Sequence, residues 1–122
     1  MSTNNTYLAV FIGTSTGPRR AAWDALPEGE RRAKEREGMA AWHAWVARHR
    51  SAIAAMGGPL GKTKKVSETG IHDTSNHMAA FTLVRADSHE AAAKMFEKHP
   101  HFSIFPGDSV EVMQVMPIPG GQ

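Results

Sequence analysis

The chain has no cysteine, only one tyrosine and no long apolar run, and these shortages close off whole classes of function. Without cysteine there is no disulfide framework, no thiolate nucleophile and no cysteine-ligated zinc or iron–sulfur cluster. No apolar run approaches the roughly 20 residues that span a bilayer. Met1 to Thr6 are polar and uncharged, and the apolar run Leu8 to Ile12 is too short and ill-flanked for a secretory signal. The expectation is a cytoplasmic protein with no membrane partner. Charge of one sign is also scarce, since 14 Lys and Arg face 12 Asp and Glu for a net +2. The basic residues of 28–37 alternate with Glu, as on a solvated helix face, and no dense basic patch for nucleic acid appears.

What is present is ordinary globular composition: 122 residues, 41% apolar and 21% charged. That suits one domain over residues 1–122, with a core over 6–117 between a polar N-terminal tail and a Pro/Gly C-terminal tail. Thr6 to Ile12 reads as a strand that is apolar on both faces. Arg19 to Ala25 predicts a short helix around Trp23. Pro27 suits the first turn of a long helix, with Glu28 and Glu30 at its favourable end. Glu35, Met39, Trp42, Val46, His49 and Ile53 recur at three- and four-residue steps, and the helix is expected to end near Arg50.

Ile53 to Met56, the Gly57-Gly58-Pro59 interruption and Leu60 to Ser67 read as one irregular second strand. Glu68 to His77 reads as a polar loop, and Met78 to Ala86 as a third strand. Asp87 or Ser88 caps a second helix, Asp87 and Glu90 matching a capping box. Ala92, Met95, Phe96 and His99 line one face of it, and Pro100 is expected to stop it. Phe102 to Gly107 is a loop, and Ser109 to Met116 is the last strand. The order is β-α-β-β-α-β: an α+β, ferredoxin-like fold with a four-stranded antiparallel sheet and both helices on one face. The other sheet face then lies bare although it is apolar. Burying roughly 600–1,000 Å² of it against a second copy would stabilise a homodimer by several kcal/mol.

Four segments carry a family likeness: Gly58-Pro59-Leu60-Gly61-Lys62-Thr63, Ser88-His89-Glu90-Ala91-Ala92-Ala93, His99-Pro100-His101-Phe102, and Pro106-Gly107-Asp108-Ser109-Val110-Glu111-Val112. In these the chain resembles the YCII-related family from Tyr7 to Pro119, most specifically over residues 79–119. The resemblance implies a dimeric α+β barrel, in which two four-stranded sheets face each other. Some members resemble dechlorinating or isomerising enzymes of aromatic breakdown, with a His and Asp pair doing acid–base chemistry in a cleft. The family Asp stands directly before a Pro at the end of the second helix, where this chain has His99 before Pro100. The family His lies on the first long helix, where His43 is the nearest candidate and Trp42 the alternative. A related group with an Asp-Gly-Pro-Phe signature differs, since residues 72–76 here read His-Asp-Thr-Ser-Asn.

Read from the residues, His99 is the leading candidate for proton transfer. A helix C-terminus raises an imidazole pKa while burial lowers it, and the balance can fall near neutrality. The alternative is a cap on the last carbonyls. His101 would share a face with His99 in an extended stretch, but two histidines without a third ligand do not make a metal site. Glu111, between Val110 and Val112, is either a general base or half of an inter-subunit ion pair. His43 sits on the flank of the long-helix stripe, between Trp42 and Trp45, where a planar substrate could stack. His49 reads as a core histidine, and His72, Asp73 and His77 as solvated loop residues. Gly61-Lys62-Thr63 lacks the first glycine of a phosphate loop, Met56 standing there. The strands lack the spaced aromatics of an RNA-recognition module.

Two functions compete on this reading. One is a small-molecule enzyme using acid–base chemistry without cofactor or metal, in a cleft near the end of the second helix. His99 would act with His43 or Glu111, and His101, Phe102 and Trp42 would contact substrate. The other is a non-catalytic metabolite-binding or protein-interaction module. An enzyme should show His99 reaching an open pocket, whereas a sealed His99 bonded only to backbone favours the module. The apolar second face of the first strand generates a separate prediction. Light scattering at micromolar concentration should return about twice the 13.3 kDa chain mass, and a value near 13.3 kDa refutes the dimer.

Overall fold

The computed structural model of the chain describes residues 5–120. Strand β1 (Thr6–Ile12) is the centre of the sheet, because both of its faces are apolar and both of its edges are paired. β5 (Met78–Arg85) lies antiparallel on one side of it and β6 (Ser109–Gln114) on the other. β2 (Ile53–Pro59) pairs with β5, giving a four-stranded antiparallel sheet in the order β2-β5-β1-β6. Tyr7, Ala9 and Phe11 of β1 and Val84 of β5 point to one face and are buried with Trp45, Ala92 and Phe96. Trp45 and Ala92 come from helices and Phe96 from the turn that follows Lys94, so the helices share that face. The fold is the ferredoxin-like α+β arrangement expected from the periods.

The long helix α2 (Glu28–His49) is entered from Pro27 with Glu28 and Glu30 in its first turn. Its buried positions are Gly38 and Trp45, with Trp42 and Val46 partly buried. Glu35 and Met39, expected on the inward stripe, are exposed, and the inward seam begins only at Gly38. Gly38 is required there: a Cβ would lie 2.5 Å from the Phe105 ring. A preceding short helix, α1 (Pro18–Asp24), tucks Trp23 against Phe105 with ring centroids 5.8 Å apart.

Three local expectations are corrected. Residues 60–77 are not a strand continuation and a loop. They form a separate hairpin of β3 (Thr63–Ser67) and β4 (Gly70–Thr74), turned at Glu68-Thr69 with Gly70 at φ 112°. The second helix is also shorter than its apolar spacing predicts. α3 (His89–Lys94) is capped by the Ser88 hydroxyl, which accepts the Ala91 N–H at 3.0 Å, and it ends before Met95. Residues 95–98 continue as turns until Lys98 enters the left-handed region at φ 57° and breaks the run. Pro100 therefore does not stop a helix but begins one, α4 (Pro100–Ser103), where its missing N–H costs nothing. His99 is thus the N-cap of α4 rather than the C-terminal residue of α3.

The face of the sheet away from the helices carries Leu8, Leu83 and Met113 in one cross-strand row and Val10, Phe81 and Glu111 in the next. Met113 there is 43% exposed. No helix of the described residues is long and apolar enough to cross a membrane.

β2 is the irregular member. Between Ile53 and Gly58 its register with β5 slips twice, and Gly57 adopts φ 67°. A Cβ at Gly57 would overlap the Phe81 carbonyl oxygen. Gly57→Ala should therefore destabilise the fold by about 2–4 kcal/mol, read as a lower urea midpoint at unchanged slope. Gly58→Ala, with open space around its Cβ, should cost far less.

Candidate functional site

The small residues of β2 decide where the space lies. Ile53-Ala54-Ala55-Met56-Gly57-Gly58-Pro59 offers little side-chain volume to fill the gap beneath α2. A cleft of about 580 Å³ results. Met39, Trp42, His43 and Val46 of α2 form one wall. Met56 to Pro59 of β2 and Ala80 to Thr82 of β5 form the other, with Phe11 and Phe105 closing the inner end. Trp42 and Phe11 pack at 5.2 Å with 32° between their rings. Thr82 is 4% exposed and donates its hydroxyl to the Ala55 carbonyl at 3.0 Å, which ties β2 to β5 beside the register slip. His43 is the one titratable side chain on this lining.

Behind Trp42 lies a second centre, built around His99. Its side chain is 0% exposed and surrounded by aromatic rings. Trp42 meets it edge-on at 4.5 Å and 89°, Trp45 at 4.9 Å and 68°, and Phe11 at 5.1 Å. Its Nδ1 accepts the His101 N–H at 3.0 Å, which caps α4. Nδ1 is therefore unprotonated and the neutral ring carries its proton on Nε2. That Nε2 is buried and has no hydrogen-bond partner in the structure. Burial, reinforced by the neighbouring His101, His49 and Arg48, pushes the His99 pKa down to about 3. The helix-terminus effect assumed from the sequence has the wrong sign at this position, because His99 precedes a helix instead of ending one.

His101 is 8% exposed and lies against Gly107 and Gly13. Its Nε2 is 2.7 Å from the Ile12 carbonyl oxygen. Burial lowers its pKa, and the Ile12 bond and Asp108 oppose that in part. Asp108 accepts from the Thr14 hydroxyl at 2.6 Å and the Thr14 N–H at 2.9 Å, and the hydroxyl bond chiefly holds its pKa down. Arg19 donates Nε to the Gly107 carbonyl at 2.7 Å and a second nitrogen to the Phe102 carbonyl. These bonds fasten the loop after β1 to the loop before β6.

The residues singled out from the sequence thus separate into distinct places. His43 and Trp42 meet on the cleft. His99 is in contact with Trp42 but is not on the cleft lining, and its single hydrogen bond is to backbone. His101 is buried one layer below, its nitrogen directed to β1 rather than alongside that of His99. Phe102 lines a different hollow with Arg48, Lys94 and Lys98. Glu111 is exposed on the opposite face of the sheet, across from Val10. Met56, Phe105 and Thr82 were not singled out, and only the run of small residues in β2 pointed to a cavity there.

The fold defines a class: ferredoxin-like α+β domains with a four-stranded antiparallel sheet. Within it, the chain is similar in structure to 5-chloro-2-hydroxyhydroquinone dehydrochlorinase from Burkholderia phenoliruptrix, solved in complex with 2,5-dihydroxybenzoquinone. The TM-score is 0.52 at 15% identity, over 96% of this chain and 99% of that one. At that identity the likeness is one of fold. No family model and no curated protein matches the chain.

The buried imidazole makes stability depend on pH with a definite sign. Below its ordinary value near 6.5 the unfolded ring takes a proton that the folded ring refuses down to about 3. Stability should therefore fall as pH drops through that window, by about 1 kcal/mol per pH unit at the steepest. His99→Asn keeps a side-chain oxygen to cap α4 and removes the titration, so its urea midpoint should vary less between pH 7 and pH 4. A slope unchanged from wild type would show that His99 does not carry the effect.

Proposed function

We propose that the chain is a YCII-like protein that works in the cytoplasm as a dimeric α+β barrel and binds a small, flat, largely apolar molecule. The ligand would lie in the cleft between α2 and the β2–β5 pair. The observation that carries this reading is the lining itself. Trp42 lies on the lining with the buried Phe11 packed against it, Met39 and Met56 flank the opening, and hydrogen-bonding groups are few. A concave, mostly apolar space with a few polar groups is what small-molecule sites look like. The dimer rests on the apolar rows around Leu8, Val10, Phe81 and Leu83, whose neighbour Met113 is 43% exposed, and leaves the cleft on the helical side of each sheet.

Binding without catalysis is favoured by two features. The cleft has one titratable side chain where an acid–base pair needs two, and His99 is sealed behind Trp42. A second reading, an acid–base enzyme, is favoured by the position of His43 on the lining and by the dehydrochlorinase activity of the fold neighbour. In that reading His43 moves the proton and His99 is a positioning residue behind Trp42.

The test is a panel of hydroquinones, benzoquinones, catechols and naphthols read by thermal melting. At least one should raise the wild-type Tm by several degrees at ligand excess. Trp42→Ala should lose that shift while keeping the wild-type far-ultraviolet circular dichroism. If no compound shifts the wild type, the ligand-binding reading is wrong. Turnover of a bound compound that disappears in His43→Gln, with binding retained, decides for the enzyme.

A further inference from the structure

The chemistry of the cleft goes further than the presence of a ligand. We infer that it selects uncharged planar ring compounds of one or two fused rings and rejects their carboxylated counterparts; this rests on the cleft being the ligand site.

No Lys, Arg, Asp or Glu lines the cleft. Its polar side-chain groups are the Trp42 and Trp45 indoles, Thr82 and His43, and two of these are already committed. The Thr82 hydroxyl donates to Ala55 at 3.0 Å, and the Trp45 indole N–H donates to the Met95 carbonyl at 2.7 Å. His43 is the remaining ionisable group, and no hydrogen bond to another described residue occupies its ring. A carboxylate entering this space would surrender its hydration to Trp42, Val46 and the methionines with no cation to replace it. A neutral ring gives up little water and gains the ring faces, and one hydroxyl or carbonyl on its rim can meet His43. Exclusion of the charged analogue is therefore specificity by desolvation rather than by shape.

Shape acts more loosely. The 580 Å³ space is in the middle of the range of ligand sites and accommodates a core of one or two rings. Met39 and Met56 at its edge are 48% and 53% exposed. Their unbranched thioethers can move around substituents. The cleft should thus discriminate strongly by charge and weakly by decoration of the ring.

Calorimetric titration of the full chain with 2-naphthol and 2-naphthoate at pH 8 tests this directly. The naphthol should bind at least about tenfold more tightly. Equal or tighter binding of the naphthoate overturns the charge selection and leaves the cleft as a ligand site. Binding of neither, with no hit in the wider panel, overturns the ligand site as well. Met56→Lys places a cation at the cleft edge on an exposed position. It should shift the naphthol-to-naphthoate ratio toward the acid by about tenfold. An unchanged ratio in this folded variant means that the selection does not arise in the cleft.

Discussion

Trp45 donates its indole N–H to the Met95 carbonyl at 2.7 Å, and that bond sets where a 22-residue helix rests on the sheet. Only one stretch of α2 is held inward; its first two and a half turns carry alternating charges in solvent, with the Arg32–Glu28 pair typical of them. Exposed pairs of that kind add little stability. The helix is therefore located by the Gly38–Val46 segment alone: Gly38 against Phe105, Trp42 against Phe11, and Trp45 against Phe96 at 5.0 Å. Because β2 supplies alanine and glycine beneath that segment, the same contacts that hold α2 down on one side leave it standing off the sheet on the other. The cleft follows from an anchored helix over an underfilled strand.

His99 belongs to the anchor. A phenylalanine would fill the cage of Trp42, Trp45, Phe11 and Phe96 with less polar cost, but it could not accept the His101 N–H that starts α4. The imidazole meets that need with Nδ1 and leaves Nε2–H facing aromatic rings, a weaker acceptor than a carbonyl. α4 in turn carries His101 to the Ile12 carbonyl and Phe102 to Arg19, which fasten the ends of β1 and β6. One neutral histidine thus joins the helix anchor to the end of the sheet, at the cost of sensitivity to acid.

The parts of this arrangement that were legible in the sequence are those with a period or a cap. β1, α2, β5 and β6 announce themselves by apolar spacing, and Ser88 by its place before the alanine run. The hairpin β3–β4 did not, because both of its faces meet solvent. Val66 and Ile71 are 73% and 68% exposed and Lys64 pairs with Asp73, so no alternation marks it. The turn at Lys98 was invisible too. The spacing of Ala92, Met95, Phe96 and His99 fits a helix, and nothing local says that a lysine takes φ 57°. That misreading turned Pro100 from a start into a stop and placed His99 at the wrong end of a helix dipole. Trp42 and His43 were found because a long amphipathic helix over a sheet presents its flank to whatever space remains.

The two apolar surfaces of the sheet then differ in a way that separates assembly from recognition. The face away from the helices carries large side chains, Leu8, Val10, Phe81 and Leu83, in cross-strand rows. Such rows suit a second sheet, since side chains from two such faces interdigitate over a wide area. The helical face is concave where β2 is small and rigid where Trp42 is pinned between Phe11 and His99. A concave wall held by packing on its far side keeps its shape without a ligand, so little ordering cost falls on binding. Glu111, across from Val10, belongs to the first surface and His43 to the second. The two groups that the sequence offered as alternative partners for His99 are divided by the thickness of the sheet.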